Sequence, residues 1–207
     1  MRKPGSLFDE DAIWEAALGP KGQALPEVKS KQQRKVKRMI PTTTDEFLTL
    51  LHTSGQVNVN ANQKMLQNVA RGMAEKFPIY KINSSARMAA FIGQCSIESQ
   101  GFSRFEENLF YTSGERIVAV FGKRVNHSLT LANTLIRNPE ALANQVYGNR
   151  EDLGNTEPGD GWKFRGSGIL QITGRYNFTK AAQRIGVPLI EHPEMARDPY
   201  VGVWMAC

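Results

Sequence analysis

From residue 43 onward, the hydrophobic positions repeat at the spacing of amphipathic helices. Thr43 and Glu46 form a capping-box pattern ahead of the first apolar stretch, which predicts a helix from Thr43. Further helices are predicted over 63–77 and 85–99. The pattern over 85–99 is apolar on nearly all sides, so we expect that helix to be central and buried.

Three more helices are predicted from capping residues and apolar steps. They span Thr112 to Gly122, Asn138 to Gly148 and Phe178 to Gly186. Between them, residues 166–174 alternate in the sequence GSGILQITG. This alternation predicts a short strand with Leu170 and Ile172 in the core, and with Ile169, Gln171 and Thr173 on the opposite, mostly polar face. We therefore expect a mainly α fold of the α+β, lysozyme-like kind: a helical bundle with a small β element and a cleft between two lobes.

Charge and composition separate the chain into two parts. With 207 residues and 41% hydrophobic positions, it can bury one sizeable core. The net charge of +6 indicates an anionic partner, which could be nucleic acid, a membrane or a cell-wall polymer. Residues 1–42 contain the basic run KSKQQRKVKR at 29–38. We interpret 1–42 as an arm or linker, either a solvated tail or a docking segment, and 43–207 as the main domain.

The remaining composition argues against several classes of protein. Cys95 and Cys207 are too few for a disulfide framework, and the three histidines are scattered, so no metal or cofactor is expected. The N-terminus MRKPGSLFDEDAIW lacks the apolar segment of a secretory signal. No apolar run approaches the roughly 18 residues of a membrane span. We expect synthesis in a host cytoplasm and export by other machinery.

Glu98 is the first candidate for chemistry. It ends the predicted helix over 85–99, in CSIESQGF, where the chain must turn at Gly101. Apolar neighbours and a helix C-terminus both disfavour the charged form of a carboxylate and so raise its pKa. Such a carboxylic acid can deliver a proton near neutral pH. Glu106 and Glu107 follow, and a return through Gly101 would bring one of them opposite Glu98. One protonated and one ionised carboxylate are what glycoside hydrolysis requires.

A third segment, 157–178, combines glycines with aromatic, amide, hydroxyl and basic residues in EPGDGWKFRGSGILQITGRYNF. Such side chains grip sugar rings, and glycines permit close backbone approach. Phosphate-loop patterns are absent. Single-stranded nucleic acid stacking on the aromatics is the competing interpretation, and a purely structural role for Trp162 and the glycines also stays open.

Together, IGQCSIESQGFSRFEENLFYTS, ALANQVYGNR and GDGWKFRGSGILQITGRYNF resemble the family 19 glycoside hydrolases. The resemblance covers about residues 60 to 205. It is strongest to the phage and bacterial lysozyme-like (endolysin) branch, which is related in pattern to plant chitinases.

The resemblance implies roles for individual residues. Glu98 matches the general acid, and Glu107 matches the general base that activates water in this inverting family, across a carboxyl separation of roughly 6.5–9.5 Å. Gln171 and Thr173 match positions that bind sugar or position the water. Four further candidates for lining the cleft are Tyr111, Trp162, Arg165 and Asn177.

The sequence departs from the family pattern at three points. Ile97 replaces the usual histidine before the acid, and Gln100 replaces the first glycine after it. The chain also stops at Cys207, within a predicted helix. A fragment, a lobe completed by a partner and an abbreviated fold all remain open.

The expected function is hydrolysis of β-1,4 links in bacterial peptidoglycan, with chitin as the alternative substrate. A phage lysis enzyme released through a holin, or a virion-associated enzyme whose arm docks on tail proteins, would fit. The rivals are a non-catalytic glycan-binding or virion structural protein on the same fold and, less favoured, a nucleic-acid binder.

Overall fold

A computed structural model describes residues 40–207 of the chain. The arm expected over 1–42, with its basic run at 29–38, therefore lies almost wholly outside the described residues.

The fold is mainly helical, as expected. Within residues 40–207 the α-helices are α1 (Thr44–Thr53), α2 (Gln63–Lys76), α3 (Ser85–Glu98), α4 (Gly114–Phe121), α5 (Leu129–Thr134), α6 (Pro139–Tyr147), α7 (Asp160–Lys163), α8 (Arg175–Ile185) and α9 (Pro199–Ala206). Short 3-10 helices cover Gly122–Val125, Glu151–Leu153 and Pro193–Arg197. None of the helices in this part of the chain has the length and hydrophobicity needed to cross a membrane.

Local capping explains most helix boundaries. The Thr43 side chain accepts from the Glu46 N–H while the Glu46 carboxylate accepts from the Thr43 N–H, which completes the predicted capping box of α1. Asn138 caps α6 ahead of a proline in its first turn. At α4 the prediction is wrong by one residue, because Ser113 rather than Thr112 accepts the N–H of the first turn. The short helices α5 and α7 were not predicted.

Three hydrophobic clusters form the core. The first joins α1, α2, α3 and α9 through residues such as Phe47, Leu51, Val69, Met73, Phe77, Ile92 and Val203. The second lies among α4, α5 and α6, and the third packs around α8. Helix α9 contributes Val203 to the first cluster and Val201 to the third. A Cβ at Gly72 would lie 2.9 Å from that of Val203, so the glycine allows α2 and α9 to pack closely.

Helix α3 is not buried on all sides, so that expectation is wrong. One face, with Met88, Ile92 and Cys95, packs into the first cluster. Ile97 on the other side is 74% exposed. The apolar residues of that side are largely alanine and glycine, which expose little apolar surface and do not require a covering layer.

The strand predicted over 166–174 is also wrong. The segment forms a turn, closed by an isolated bridge between Ser167 and Ile172. The chain reverses because Gly168 and Gln171 have φ values of +76° and +50°. Ile169 is consequently buried while Leu170 is 41% exposed, the reverse of the predicted faces. Alternation over a few residues does not distinguish a strand from a glycine-rich turn.

Candidate active site

The segment that carries Glu106 and Glu107 is fastened to the glycine-rich turn. The Glu107 N–H donates to the Gly166 carbonyl at 2.8 Å, and the Gly168 N–H donates to the Phe105 carbonyl at 2.9 Å. Glu106 also bridges to Ser167. The turn that replaces the predicted strand therefore fixes the position of the two glutamates.

Two neutral donors hold the carboxylate of Glu107. The Tyr147 hydroxyl, at the end of α6, donates to Oε1 at 2.7 Å, and the Gly166 N–H donates to Oε2 at 3.2 Å. Burial, and then the hydrogen bond to Glu107, raise the pKa of Tyr147. The hydroxyl therefore keeps its proton at neutral pH and stays a donor. Both oxygens of Glu107 are oriented by these donors, and within residues 40–207 the carboxylate forms no ion pair.

Gly166 allows Gln171 to approach the Glu107 carboxylate. A Cβ at residue 166 would lie 3.1 Å from Gln171 Oε1 and 3.2 Å from Glu107 Oε2. The amide of Gln171 and the carboxylate of Glu107 thus flank one backbone position. Only a residue without a side chain leaves the gap between them open.

Thr173 and Asn177 continue from Gln171. The Thr173 hydroxyl donates to the Gln171 carbonyl at 3.2 Å, and the Asn177 amide donates to the Thr173 carbonyl at 2.8 Å. The structure therefore connects four of the predicted site residues through one turn and the start of α8. They offer an amide and a hydroxyl beside a fixed carboxylate.

Glu106, unlike Glu107, is paired with arginines. Arg165 Nε donates to Glu106 Oε1 at 2.8 Å, and Arg197 Nε lies 3.7 Å from the same oxygen. Its charge is therefore compensated by arginines, whereas within residues 40–207 Glu107 forms no ion pair. The two adjacent glutamates thus differ in their partners, a difference that their local sequence does not show.

Arg165 and Trp162 support this pair. The Arg165 side chain is only 7% exposed and donates to the Trp162 carbonyl at 2.7 Å. Its guanidinium carbon lies 3.4 Å from the centroid of the Trp162 ring. Arg165 is thus buried between Glu106 and the half-buried Trp162, and the contact of both residues with substrate stays a prediction.

Glu98 lies at the last position of α3 and is exposed. Its side chain accepts one hydrogen bond, from the Gln94 amide at 2.9 Å. The apolar surround expected from the sequence is not formed by the described residues, because the neighbouring Ile97 also faces solvent. Residues 40–207 therefore leave this carboxylate exposed.

The loop after Glu98 is nevertheless held firmly. Gln100, Gly101 and Phe102 have φ values of +52°, +70° and +58°, which turn the chain sharply away from α3. A Cβ at Gly101 would lie 2.4 Å from the Asn58 nitrogen, so this position requires glycine. Buried Ser99 donates to the Cys95 carbonyl and accepts from the Phe102 N–H. The end of α3 is thus anchored beside an exposed acid.

Comparison with known proteins bears on this arrangement. No family profile matches the chain. A Haemophilus influenzae protein named a glycosyl hydrolase family 19 domain-containing protein is 43% identical over 100 residues, which make up 48% of this chain. The match confirms the resemblance to glycoside hydrolase family 19. The chain matches 49% of the length of that relative.

Tyr147 is the site residue that sequence reasoning missed. It lies within ALANQVYGNR, one of the stretches that carry the resemblance to family 19, but the helical pattern there indicates only a helix end. Its contact with Glu107 joins residues 40 positions apart, so no local signal shows it.

Tyr111 lies nearby but belongs mainly to the second core cluster. It packs edge-on against Phe121 with ring centroids 5.6 Å apart. It also contributes to the raised pKa of Tyr147. Across residues 40–207, no group of three or more histidine, cysteine, aspartate or glutamate side chains is placed to hold a metal ion.

Proposed function

We propose that this chain is a glycoside hydrolase of the chitinase or lysozyme type that cleaves β-1,4 links in peptidoglycan. The observation that carries the proposal is the Glu107 carboxylate, held by Tyr147 and the Gly166 N–H beside Gln171. The partial match to a relative named for family 19 supports the same class of enzyme.

Each carboxylate has a distinct role in this mechanism. Glu98 protonates the glycosidic oxygen, and Glu107 takes a proton from the water that attacks the anomeric carbon. Attack from the face opposite the leaving group inverts the configuration of that carbon. Because both oxygens of Glu107 are fixed by donors, the base points in one direction before substrate arrives.

Gln171 and Thr173 position the water and the sugar. Because residue 166 has no side chain, the carboxylate of Glu107 and the amide of Gln171 approach the same backbone position, where a bound water would meet both. The Thr173 hydroxyl can rotate between the Gln171 carbonyl and such a water.

The exposure of Glu98 gives substrate a part in activating the acid. A glycan strand lying over Glu98 and Ile97 would displace water from both side chains. Desolvation favours the protonated form of a carboxylate. In this proposal the bound strand supplies the apolar surround that residues 40–207 do not provide.

Reducing-end release from purified peptidoglycan and from chitin tests the proposal. Glu98→Gln and Glu107→Gln should each lower turnover by at least about 100-fold, whereas Glu191→Gln, an exposed control, should match the unmodified chain. Full activity in Glu98→Gln would refute the assignment of the acid. No release by the unmodified chain or any variant would favour the non-catalytic glycan-binding alternative. Release from chitin alone would identify chitin, and not peptidoglycan, as the substrate.

We further propose that the enzyme acts at the cell wall as a phage lysis or virion-associated protein. The basic run at 29–38 supports a docking role for residues 1–42. Replacing Lys29, Lys31, Lys35 and Lys37 by glutamine should abolish co-purification with virions while preserving reducing-end release. Unchanged co-purification would refute the docking role.

A further inference from the structure

A polar cavity lies along the segment that carries Glu106 and Glu107. It has a volume of about 450 Å³, and its polar lining consists of Gln100, Ser103, Arg104, Glu106, Asn108 and Arg197. Alternate residues of an extended segment point to opposite sides, so Glu106 and Asn108 share the side opposite Glu107. The contacts agree, because Glu107 meets Tyr147 while Glu106 meets Arg165. The cavity is therefore distinct from the space around the base.

Positive charge at this cavity exceeds negative charge. Arg104 and Arg197 line it, and Arg165 lies behind Glu106, so one carboxylate faces three guanidinium groups. Within residues 40–207 Arg104 forms no ion pair. The nearest additional carboxylate, Glu194, acts on Arg197 but is exposed, so solvent screens it.

Arg197 contributes a second guanidinium group to the cavity wall. Its Nε is buried and has no hydrogen-bond partner within the described part of the chain. The Oε1 atom of Glu106 lies 3.7 Å from this nitrogen, which is too far for a hydrogen bond. Burial, and then the charge of Arg165, lower the pKa of Arg197. Buried charged donors normally have an acceptor, and a negatively charged acceptor would relieve both effects.

We propose that this cavity is a subsite for a carboxylate of the peptide stem that peptidoglycan carries and chitin lacks. The inference rests on the proposed function. Arginine forks match carboxylate geometry, and the amides of Gln100 and Asn108 add neutral donors. Gln100 follows Glu98 by two positions, and Glu106 and Asn108 flank Glu107. A stem projecting from a glycan strand at the two catalytic carboxylates therefore lies beside this cavity.

Binding measurements that do not depend on turnover test the subsite. The Glu98→Gln chain would be titrated with four ligands: a peptidoglycan fragment with free stem carboxylates, the same fragment amidated, a chitin oligomer of equal length, and the free stem peptide. Arg104→Gln is the test variant, and Arg104→Lys retains the charge. Arg184→Gln removes one exposed positive charge from α8 as the matched control.

Amidation should weaken binding of the fragment by about 10-fold, the lower end of the range expected for a charge-assisted contact, because the cavity is open to solvent. Arg104→Gln should weaken the carboxylate fragment equally but leave the amidated fragment and chitin unchanged. Arg104→Lys should fall between, and Arg184→Gln should bind all four ligands like its parent. Non-additivity of amidation and Arg104→Gln would place the carboxylate at the arginine.

Three results would overturn the subsite. Equal binding of the free and amidated fragments would show that no stem carboxylate contacts the arginines of the cavity. Equal weakening of every ligand by Arg104→Gln would indicate a general effect on the fold or the charge, and binding of none of the four would exclude the subsite. If the stem peptide binds in an Arg104-dependent way while no glycan is hydrolysed by the unmodified chain, the proposed function fails and the subsite stands.

Discussion

Tyr147→Phe is the most informative single change, because it removes the hydroxyl that donates to Glu107 and little else. The lost hydrogen bond to Glu107 Oε1 is 2.7 Å long. A hydrogen bond to a charged group contributes about 1.5–3 kcal/mol, and partial solvent access to Glu107 places the expected loss near the lower end. The Gly166 N–H still holds the other oxygen, so the carboxylate should rotate rather than leave the site.

The kinetic consequence follows from that rotation. A loss of about 1.5–2.5 kcal/mol of transition-state stabilisation lowers kcat by roughly 10-fold to 70-fold. KM should change little, because Tyr147 contacts the base and not the sugar in this account. Reducing-end release at several peptidoglycan concentrations separates the two quantities.

Tyr200→Phe supplies a matched control. The Tyr200 hydroxyl donates to Glu75 at 2.5 Å, where α9 meets α2, so it is also a tyrosine–glutamate hydrogen bond. Tyr147→Phe should lose about 1.5 kcal/mol of unfolding free energy, and Tyr200→Phe no more than that, because Glu75 is exposed. Only Tyr147→Phe should lose turnover. Equal kcat in the two variants would refute the role assigned to Tyr147.

Three further changes test the surroundings of the site. Gly166→Ala should lower turnover several-fold with little change in Tm, because its Cβ would press on Gln171 and Glu107; unchanged kinetics would contradict the close approach. Glu106→Gln should lower the unfolding free energy by about 1–2 kcal/mol in urea titrations, because it leaves the charge of buried Arg165 uncompensated while Glu106 itself is partly exposed. Asp152→Asn, at an exposed ion pair, should have no resolvable effect, and equal losses in the two variants would contradict a special role for the buried arginine. Burial raises the pKa of Cys95 from 9.0 to about 12, so its thiol should react with a labelling reagent at pH 8 only when the chain unfolds. Above pH 9 the unfolded chain releases the thiol proton before the folded chain does, so the unfolding free energy should fall more steeply than in Cys95→Ala. Equal pH dependence of the two chains would argue against that burial.

Capping chemistry made several helices predictable. The capping box at Thr43, the Asn138–Pro139 start of α6 and the glycine after α8 are local signals, and the structure has helix boundaries at each. Such signals act within a few residues, so the sequence alone carries them.

Two of the wrong predictions share a cause. In α3 and in the turn at 166–174, apolar spacing was used to infer what covers each face. Small residues leave that question open, because alanine and glycine are tolerated in solvent, and glycine permits turns that alternation does not reveal. The environment of Glu98 also depends on tertiary packing, so its exposure could not be derived from the residues next to it in the sequence.

The candidate site was predictable in its parts but not in its connections. Glu107, Gln171, Thr173 and Asn177 were expected from the resemblance to family 19, and the structure connects them through one turn. The contact of Tyr147 with Glu107 and the pairing of Glu106 with Arg165 span 40 and 59 positions. Long-range contacts of this kind arise from the packing of α6 and the turn.

The anomeric configuration of the first product tests the central claim most directly. Proton NMR during early hydrolysis of a β-1,4-linked peptidoglycan fragment by the unmodified chain records the newly formed reducing end before it equilibrates. An acid at Glu98 and a water-activating base at Glu107 predict that the α-anomer appears first. Initial appearance of the β-anomer would indicate retention through a covalent intermediate and would contradict the mechanism.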